Sequence, residues 1–339
     1  MEQVFRQRPR AAEIAAWICA GIALLLVLWL RLLPALLAGL LVYELVHLLA
    51  PFLQRRLRTE RSRLIAVLAL ATVVVAMVIA AILAALVFFR SDAGSLTALF
   101  EKMAEIIEGT RDVFPPWATA SLPTDPEELR RALSDWLREH APELKLAGTE
   151  AVRAFAHVLI GMVIGAVLSL REAVAARDQR PLAGALIERA RRLGDAFRRI
   201  VFAQVRISAI NTVFTGIYLA VLLPLFGIHL PLTKTLIAVT FLAGLLPVIG
   251  NLISNTVIVI VSLAHSSQVA GASLVFLVIV HKLEYFLNAR IVGAKIHAAA
   301  WELLLAMLVM ETAFGLPGVV AAPIYYAYLK QELADRGLV

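Results

Sequence analysis

Long apolar runs separated by short charged turns are the main pattern of this 339-residue chain. A helix needs about 20 apolar residues to cross the roughly 30 Å hydrocarbon core of a bilayer. We therefore predict an all-α polytopic membrane protein with about eight hydrophobic segments. These segments are Ile14–Leu30, Pro34–Leu53, Leu64–Phe89, Ala154–Leu170, Ile207–Phe226, Leu232–Leu263, Val269–Leu287 and Trp301–Tyr328.

Two of the eight segments are long and interrupted near their middle. Leu232–Leu263 contains the run Leu246-Pro247-Val248-Ile249-Gly250-Asn251, and Trp301–Tyr328 contains Phe314-Gly315-Leu316-Pro317-Gly318. Proline removes a helical hydrogen bond and glycine weakens a helix, so both interruptions predict a break. Each segment is then either a kinked full crossing or a re-entrant hairpin, and the sequence leaves both open.

A polar insert separates the third and fourth segments. Residues 90–150 hold twelve acids, seven bases and several prolines. The amphipathic runs Leu96–Ile107 and Glu127–Leu137 predict small helices, which would form an extracytoplasmic cap. The predicted organisation has five parts: 1–89 with three membrane segments, the cap at 90–150, 151–206 with the fourth segment and a basic stretch, the broken segments within 207–330, and a short tail at 331–339.

Arginines set the predicted orientation. The loop Gln54–Arg63 holds five arginines and the stretch Arg171–Arg206 holds nine, which places both on the cytoplasmic side of the membrane, together with both chain termini. Within the second stretch, apolar residues at helical spacing predict an amphipathic helix, either on the membrane surface or packed against other helices. If all later segments cross fully, the loop Arg290–His297 lies outside, although it contains Arg290 and Lys295. If the two broken segments are hairpins, this loop is cytoplasmic, as the rule predicts.

Composition narrows the function. Hydrophobic residues form 61% of the chain, against roughly 45–50% in soluble proteins. The net charge of +7 comes from arginines that flank apolar segments, so membrane lipid rather than nucleic acid is the predicted partner of this charge. The single Cys19 excludes an intramolecular disulfide and a cysteine-based metal site. No motif of an enzyme or of an ATP site is present, so we predict no catalysis, no metal and no cofactor.

Polar side chains inside apolar segments mark the candidate pathway, because each is costly there unless it is paired or hydrated. Asn211, Asn251 and Asn255 are uncharged donors and acceptors of this kind. Glu284 and Asn288 share a helix face by their spacing, although pairing of Glu284 with Arg290 is the simpler alternative. Glu311 lies beside the second break.

The chain resembles the autoinducer-2 exporter family of bacterial membrane proteins. The residues that carry this resemblance are Gln204, Leu246-Pro247-Val248-Ile249-Gly250, Glu284 with Asn288 and Arg290-Ile291-Val292-Gly293, and Phe314-Gly315-Leu316-Pro317-Gly318 followed by Pro323. Ala289 replaces the proline that the family has before Arg290. The resemblance implies a multi-pass inner-membrane exporter or permease that forms a ring-shaped homo-oligomer such as a pentamer.

The predicted function is export of a small polar organic solute, such as an autoinducer-2-like signal. The alternatives are a sodium/proton antiporter that cycles protons on Glu284, Glu302 or Glu311, and a non-transporting membrane scaffold. The predicted substrate pathway is formed by Gln204, Asn211, Pro247, Gly250, Asn251, Asn255, Glu284, Asn288, Arg290, Glu311, Gly315, Gly318 and Pro323.

Overall fold

The described part of the chain is helical throughout, as the sequence predicts. The structure is a computed structural model, and it describes residues 11–54, 60–91, 96–109, 141–174, 180–246, 249–291 and 300–338. Within these ranges there is no strand. The principal helices are α1 (Ala11–Trp29), α2 (Leu33–Gln54), α3 (Glu60–Arg90), α4 (Leu96–Gly109), α5 (Ala141–Val174), α6 (Pro181–Ile217), α7 (Thr233–Gly244), α8 (Ile249–Leu263), α9 (Ser267–Ile291), α10 (Ala300–Phe314) and α11 (Leu316–Ala334).

Five of the described stretches are long and apolar enough to cross a bilayer. They are Ala11–Trp29, Leu33–Phe52, Ile65–Arg90, Val152–Arg171 and Pro181–Leu225. Shorter apolar helices follow at Thr233–Gly244, Gly250–Leu263 and Ser267–Lys282. Many large apolar side chains of the long stretches face outward. Those of Ile65, Val73 and Val87, for example, are more than half exposed. Such surfaces are stable only in lipid, so the chain is a multi-pass membrane protein.

The helices form two compact units. Unit 1 contains the described residues within 1–79, 150–200 and 298–339, and unit 2 contains those within 80–149 and 201–297. The first half of α6 therefore belongs to unit 1 and its second half to unit 2. In unit 2, α4 packs on α8 through the buried Leu99. The amphipathic prediction for Leu96–Ile107 is thus confirmed, whereas Glu127–Leu137 lies outside the described residues.

Both broken segments fold back on themselves. In unit 1, Glu302 near the start of α10 accepts hydrogen bonds from Tyr326 and Lys330 near the end of α11, which requires the two helices to run antiparallel. In unit 2, α7 and α8 pack side by side, with Gly250 against Ala243 beyond the break. Each segment is therefore a helical hairpin rather than a kinked span.

Two predicted boundaries differ from the structure. The helix α5 begins at Ala141, inside the predicted insert, and α6 runs without interruption from the basic stretch into the fifth apolar segment. The predicted boundary at 206 rested on a change in charge, and a change in charge does not stop a helix when neither proline nor a turn signal is present.

The basic stretch Arg171–Arg206 has one apolar face, and this face is packed against protein at one end only. Phe197 is 2% exposed, and its neighbour Ala196 packs with Ala327 and Tyr328 of α11. Leu182, at the other end of the stripe, is 42% exposed. The packed alternative therefore applies to the second half of this stretch.

In unit 1, α2 and α5 touch through their backbones. Gly161 lies against the carbonyl oxygen of Ala35, and Gly165 lies against that of Gly39. The four-residue spacing on both helices is the small-xxx-small pattern that lets membrane helices approach closely. Since Ala35 pairs with Gly161 and Gly39 with Gly165, the two helices run in the same direction.

We expect Gly161→Ala to lower the melting temperature of the purified protein, because its methyl group would overlap the Ala35 carbonyl. Overpacking of this kind typically costs about 1–3 kcal/mol. Gly21→Ala in α1 is the matched control, since a Cβ at Gly21 meets nothing within 4 Å, and it should leave stability unchanged or raised. Equal melting temperatures for the two variants would contradict the backbone contact.

Candidate functional site

A stripe of polar residues runs along the second half of α6 in unit 2. Gln204, Ser208, Asn211 and Thr215 are separated by four, three and four residues, so they lie on one face of the helix. We call these four residues the α6 stripe. Asn211 and Thr215 are buried, at 6% and 0% exposure. Neighbouring positions such as Val213 and Ile217 are more than half exposed and apolar, so the stripe faces protein while the opposite face suits lipid.

The α6 stripe completes the hydrogen bonding of the first hairpin. The last four carbonyl groups of a helix have no partner within it, and in α7 these belong to residues 241–244. Gln204 donates from Nε2 to the Gly244 carbonyl at 2.7 Å, and Ser208 donates from Oγ to the Phe241 carbonyl at 2.6 Å. The backbone N–H groups of Leu245 and Leu246 bond the remaining two carbonyls. All four carbonyl groups at the end of α7 therefore accept a hydrogen bond.

The next residue of the α6 stripe joins α6 to the first turn of α8. Asn211 donates from Nδ2 to Oδ1 of Asn251 at 3.1 Å. Gly250 packs so closely on Ala243 that any side chain there would overlap its carbonyl oxygen. Asn255 follows Asn251 by one helical turn and is half-buried. Amide groups and backbone dipoles are thus concentrated beside the break.

Thr215 differs from the other members of the α6 stripe. Its hydroxyl is fully buried and has no hydrogen-bond partner in the described part of the chain. A buried threonine in a helix usually bonds the carbonyl four residues earlier, as Thr240 does with Leu236 at 2.8 Å. An unpaired buried hydroxyl costs roughly 1–3 kcal/mol. Thr215 therefore offers a hydrogen-bonding group that the fold itself does not use.

Beyond Thr215, α6 widens into a π-helical turn at Tyr218–Leu222. Pro224 follows and cannot donate a backbone hydrogen bond, and a widened turn accommodates such a residue. Tyr218 lies on this turn, three residues beyond Thr215. Its hydroxyl contacts Ser273 Oγ at 2.9 Å, and Ser273 contacts Ser262 Oγ at 2.8 Å. This buried chain of hydroxyls extends the polar face toward the end of the hairpin.

A cavity of about 530 Å³ lies in unit 2 where the first hairpin begins and ends. Lys102 and Glu105 of α4 line one wall, and His229 and His265 line the two loops that flank the hairpin. Lys102 and Glu105 form an ion pair with each other at 2.6 Å. No three His, Cys, Asp or Glu side chains are grouped as metal ligands among the residues that the structure describes.

The second hairpin, in unit 1, is closed by glycine at its tip and by charge at its base. Gly315 has φ 64° and ψ −147°, and Gly318 packs against the Met310 carbonyl. At the base, Lys330 donates to Glu302 at 2.5 Å. This hydrogen bond raises the pKa of Lys330 above its usual value. Glu302 and Lys330 thus form an ion pair at the base of this hairpin.

A protein-family model described as AI-2E family transporter matches residues 14–335. The chain belongs to the AI-2E transporter family. Neither a curated protein nor a solved structure matches it. Membership confirms the resemblance that the sequence motifs indicate, and it makes the chain a membrane transporter by family.

Of the residues predicted for the pathway of this AI-2E transporter, Gln204, Asn211, Gly250 and Asn251 come together around the first break, and Asn255 lies one helical turn further along α8. Glu284, Asn288 and Arg290 lie on α9, but their side chains, like the whole of Pro247, fall outside the described residues. Glu311, Gly315, Gly318 and Pro323 belong to the second hairpin, where Glu311 is exposed and Pro323 is buried within α11. Their role in transport stays a prediction.

Sequence reasoning missed a buried ion-pair cluster in unit 1. Glu332 of α11 lies 2.8 Å from Arg189 and 3.0 Å from Arg192, and it accepts a hydrogen bond from Trp17 Nε1 at 3.2 Å. The Arg189 and Glu332 side chains are only 6% and 7% exposed. The cluster ties α11 to α6 and α1. The sequence prediction assigned Glu332 to the short tail at 331–339, and its four-residue spacing from Tyr328 on one helix face was the available sign of burial.

Glu44 and His47 lie three residues apart on one face of α2. Glu44 is buried and lies 3.7 Å from Arg198, while His47 Nδ1 bonds the Tyr43 carbonyl at 2.9 Å. Each of the two side chains therefore has a partner besides its neighbour on the helix.

We expect Gln204→Leu to destabilise the protein by about 1–3 kcal/mol, because the Gly244 carbonyl then loses its donor in a buried position. The measurement is thermal melting of the purified protein in detergent. Gln268→Leu is the matched control, since Gln268 is exposed at the start of α9. The capping role is wrong if both variants melt together.

We expect Glu332→Gln to destabilise the protein more strongly, by about 3–5 kcal/mol, because the substitution leaves the buried Arg189 without a carboxylate. Glu188→Gln is the control: its side chain is 46% exposed and pairs with Arg192 within one helix, so its loss should cost about 0–1 kcal/mol. Denaturant melts of both variants test the ranking, and a reversed order would refute it.

Proposed function

We propose that the chain is a secondary transporter or passive facilitator that exports a small polar organic solute across a bacterial inner membrane. The observation that carries this proposal is the first hairpin: a helix break within apolar sequence, bonded by the α6 stripe, beside the unpartnered hydroxyl of Thr215. Family membership supports the same class of function.

The physical argument starts from the cost of irregular backbone in lipid. Such backbone persists at membrane depth only where it is buried in protein or lines a wet cavity. In many transporters, broken helices bind substrate through the dipoles and free backbone groups at the break. The first hairpin offers amide groups from Asn211, Asn251 and Asn255 in this position. A polar solute could replace water there without leaving these groups unpaired.

The chemistry of the α6 stripe favours a neutral solute. Its members are amides and hydroxyls, and none carries a formal charge. A molecule with hydroxyl and carbonyl groups, such as an autoinducer-2-like furanone, matches these donors and acceptors. Antiport would need an acid that gains and loses a proton during each cycle. Glu302 is a poor choice because its carboxylate already pairs with Lys330 and accepts a hydrogen bond from Tyr326.

The hairpins also give a consistent topology. If the N-terminus is cytoplasmic and α1, α2, α3, α5 and α6 each cross the membrane once, α6 ends on the outer side. The first hairpin then enters and leaves the membrane on that outer side. The helix α9 then brings Arg290 back to the arginine-rich side, where the second hairpin and the C-terminus also lie. This arrangement places the arginine-rich stretches Gln54–Arg63 and Arg171–Arg206 and the end of α9 on the same side of the membrane, as the positive-inside rule favours. Contact of α4 with the mouth of the first hairpin fits an extracytoplasmic insert.

We expect Thr215→Val to reduce solute flux at least tenfold while leaving the melting temperature unchanged or raised. The change removes only a hydroxyl that the fold does not use, so stability has nothing to lose. Thr240→Val is the matched control, because the Thr240 hydroxyl bonds its own helix. The measurement is efflux of autoinducer-2 from proteoliposomes that contain the purified variants.

The same vesicles separate the alternatives. A proton flux that sodium triggers in the absence of organic solute, measured with a pH-sensitive dye, would favour antiport. Absence of flux for every solute and ion tested would favour the scaffold. Wild-type efflux from Thr215→Val would remove the hydroxyl from the pathway and leave the other members of the α6 stripe to be tested.

A further inference from the structure

A second, larger cavity lies in unit 1 and plays no part in the proposed pathway. Its volume is about 850 Å³, and α1, α2, α5 and α6 contribute to its walls. The lining is mostly apolar, including Leu36 and Leu40 of α2 and Ile164 and Leu168 of α5. Ile164 and Leu168 are 59% and 49% exposed, so the cavity is an open groove on a lipid-facing surface.

The groove is deep because its floor is made of small residues. Ala35 and Gly39 of α2 lie against Gly161 and Gly165 of α5 with no side chains between the backbones. It extends along α2 from Leu32 to Tyr43, which at 1.5 Å per residue is about 17 Å. That length is close to the roughly 15 Å depth of one leaflet of the hydrocarbon core.

One end of the groove is basic. Arg171 lies in the last turn of α5, at the end toward which α2 and α5 both run, and Tyr43 lies near the same end. Arg191 lines the groove one turn before Gly194, and Gly194 approaches the Glu44 carboxylate and, further off, the Tyr43 ring. Two guanidinium groups and a phenol therefore surround the point where an apolar chain in the groove would end.

We propose that this groove binds one anionic phospholipid, with an acyl chain along α2 and α5 and its phosphate at Arg171 and Arg191. Apolar lining alone would give no selectivity, because lipid tails are as apolar as the side chains they meet. Selectivity for anionic over neutral lipids comes from Arg171 and Arg191 at the basic end of the groove. Basic pockets between membrane helices on the cytoplasmic side bind anionic head groups in this way. The occupant is a lipid rather than a free solute because the walls are open to the bilayer.

The experiment is native mass spectrometry of the full-length protein, delipidated and then titrated with phosphatidylglycerol or phosphatidylcholine. We expect one phosphatidylglycerol per chain to bind in preference to phosphatidylcholine. The variant Arg171→Gln/Arg191→Gln should lose this preference by roughly fivefold for each arginine. Arg180→Gln/Arg206→Gln removes the same charge from exposed positions outside the groove and should keep the preference.

A second variant tests the groove without changing any charge. Leu36→Trp fills the apolar part, and we expect it to abolish the tightly bound phosphatidylglycerol while the arginines remain. Thermal melting identifies a variant that fails to fold, and the other variant then decides. Equal binding of both lipids to the wild type, or full retention of phosphatidylglycerol by Leu36→Trp, would overturn the proposal. Cross-linking of two copies of the Cys19→Ser/Leu36→Cys variant in vesicles would also overturn the proposal.

Discussion

Backbone groups in an apolar solvent must find partners within the protein, and this constraint shapes the second half of the molecule. A continuous helix satisfies itself, but a helix that stops inside the membrane leaves four carbonyls open. The first hairpin meets this requirement with two side chains from α6 and two backbone N–H groups of its own turn. Gln204 and Ser208 are therefore needed before any solute is considered. A break in a membrane helix is stable only together with the helix that caps it.

This requirement separates two kinds of polar residue that look alike in a sequence. Gln204 and Ser208 are consumed by the fold, since each bonds a carbonyl that would otherwise be unpaired. Thr215 lies on the same face, is fully buried and has no partner in the described chain. A group of this kind reduces stability, and proteins keep such groups mainly where function uses them. Within the α6 stripe, the orphan hydroxyl is therefore the stronger sign of a pathway than the well-bonded amide.

The sequence predicted the helices and both breaks, and it identified Asn211 and Asn251 because asparagine is conspicuous in an apolar run. It did not distinguish a hairpin from a kink, since proline and glycine serve both and only contacts between distant residues decide. Thr215 gave little signal, because threonine in a membrane helix usually bonds its own backbone. The regular spacing from Gln204 to Thr215 was the available sign. Glu332 was missed for another reason: burial of a charged residue near a chain end depends on partners far away in sequence.

The two hairpins solve the same problem by different means, and the difference bears on how each can move. The tip of the first is bonded to α6 by neutral side chains, so its displacement would break several partly buried hydrogen bonds together. The tip of the second relies on close backbone packing at Gly318 and a left-handed glycine, while its charged contacts lie at the base with Glu302 and Lys330. Glycine at Gly315 can change its backbone angles at little cost. The buried Glu332 further along α11 then holds the base of this hairpin in place while its tip is the less constrained part. Taken separately, the tip of the second hairpin therefore moves at a lower cost than the tip of the first.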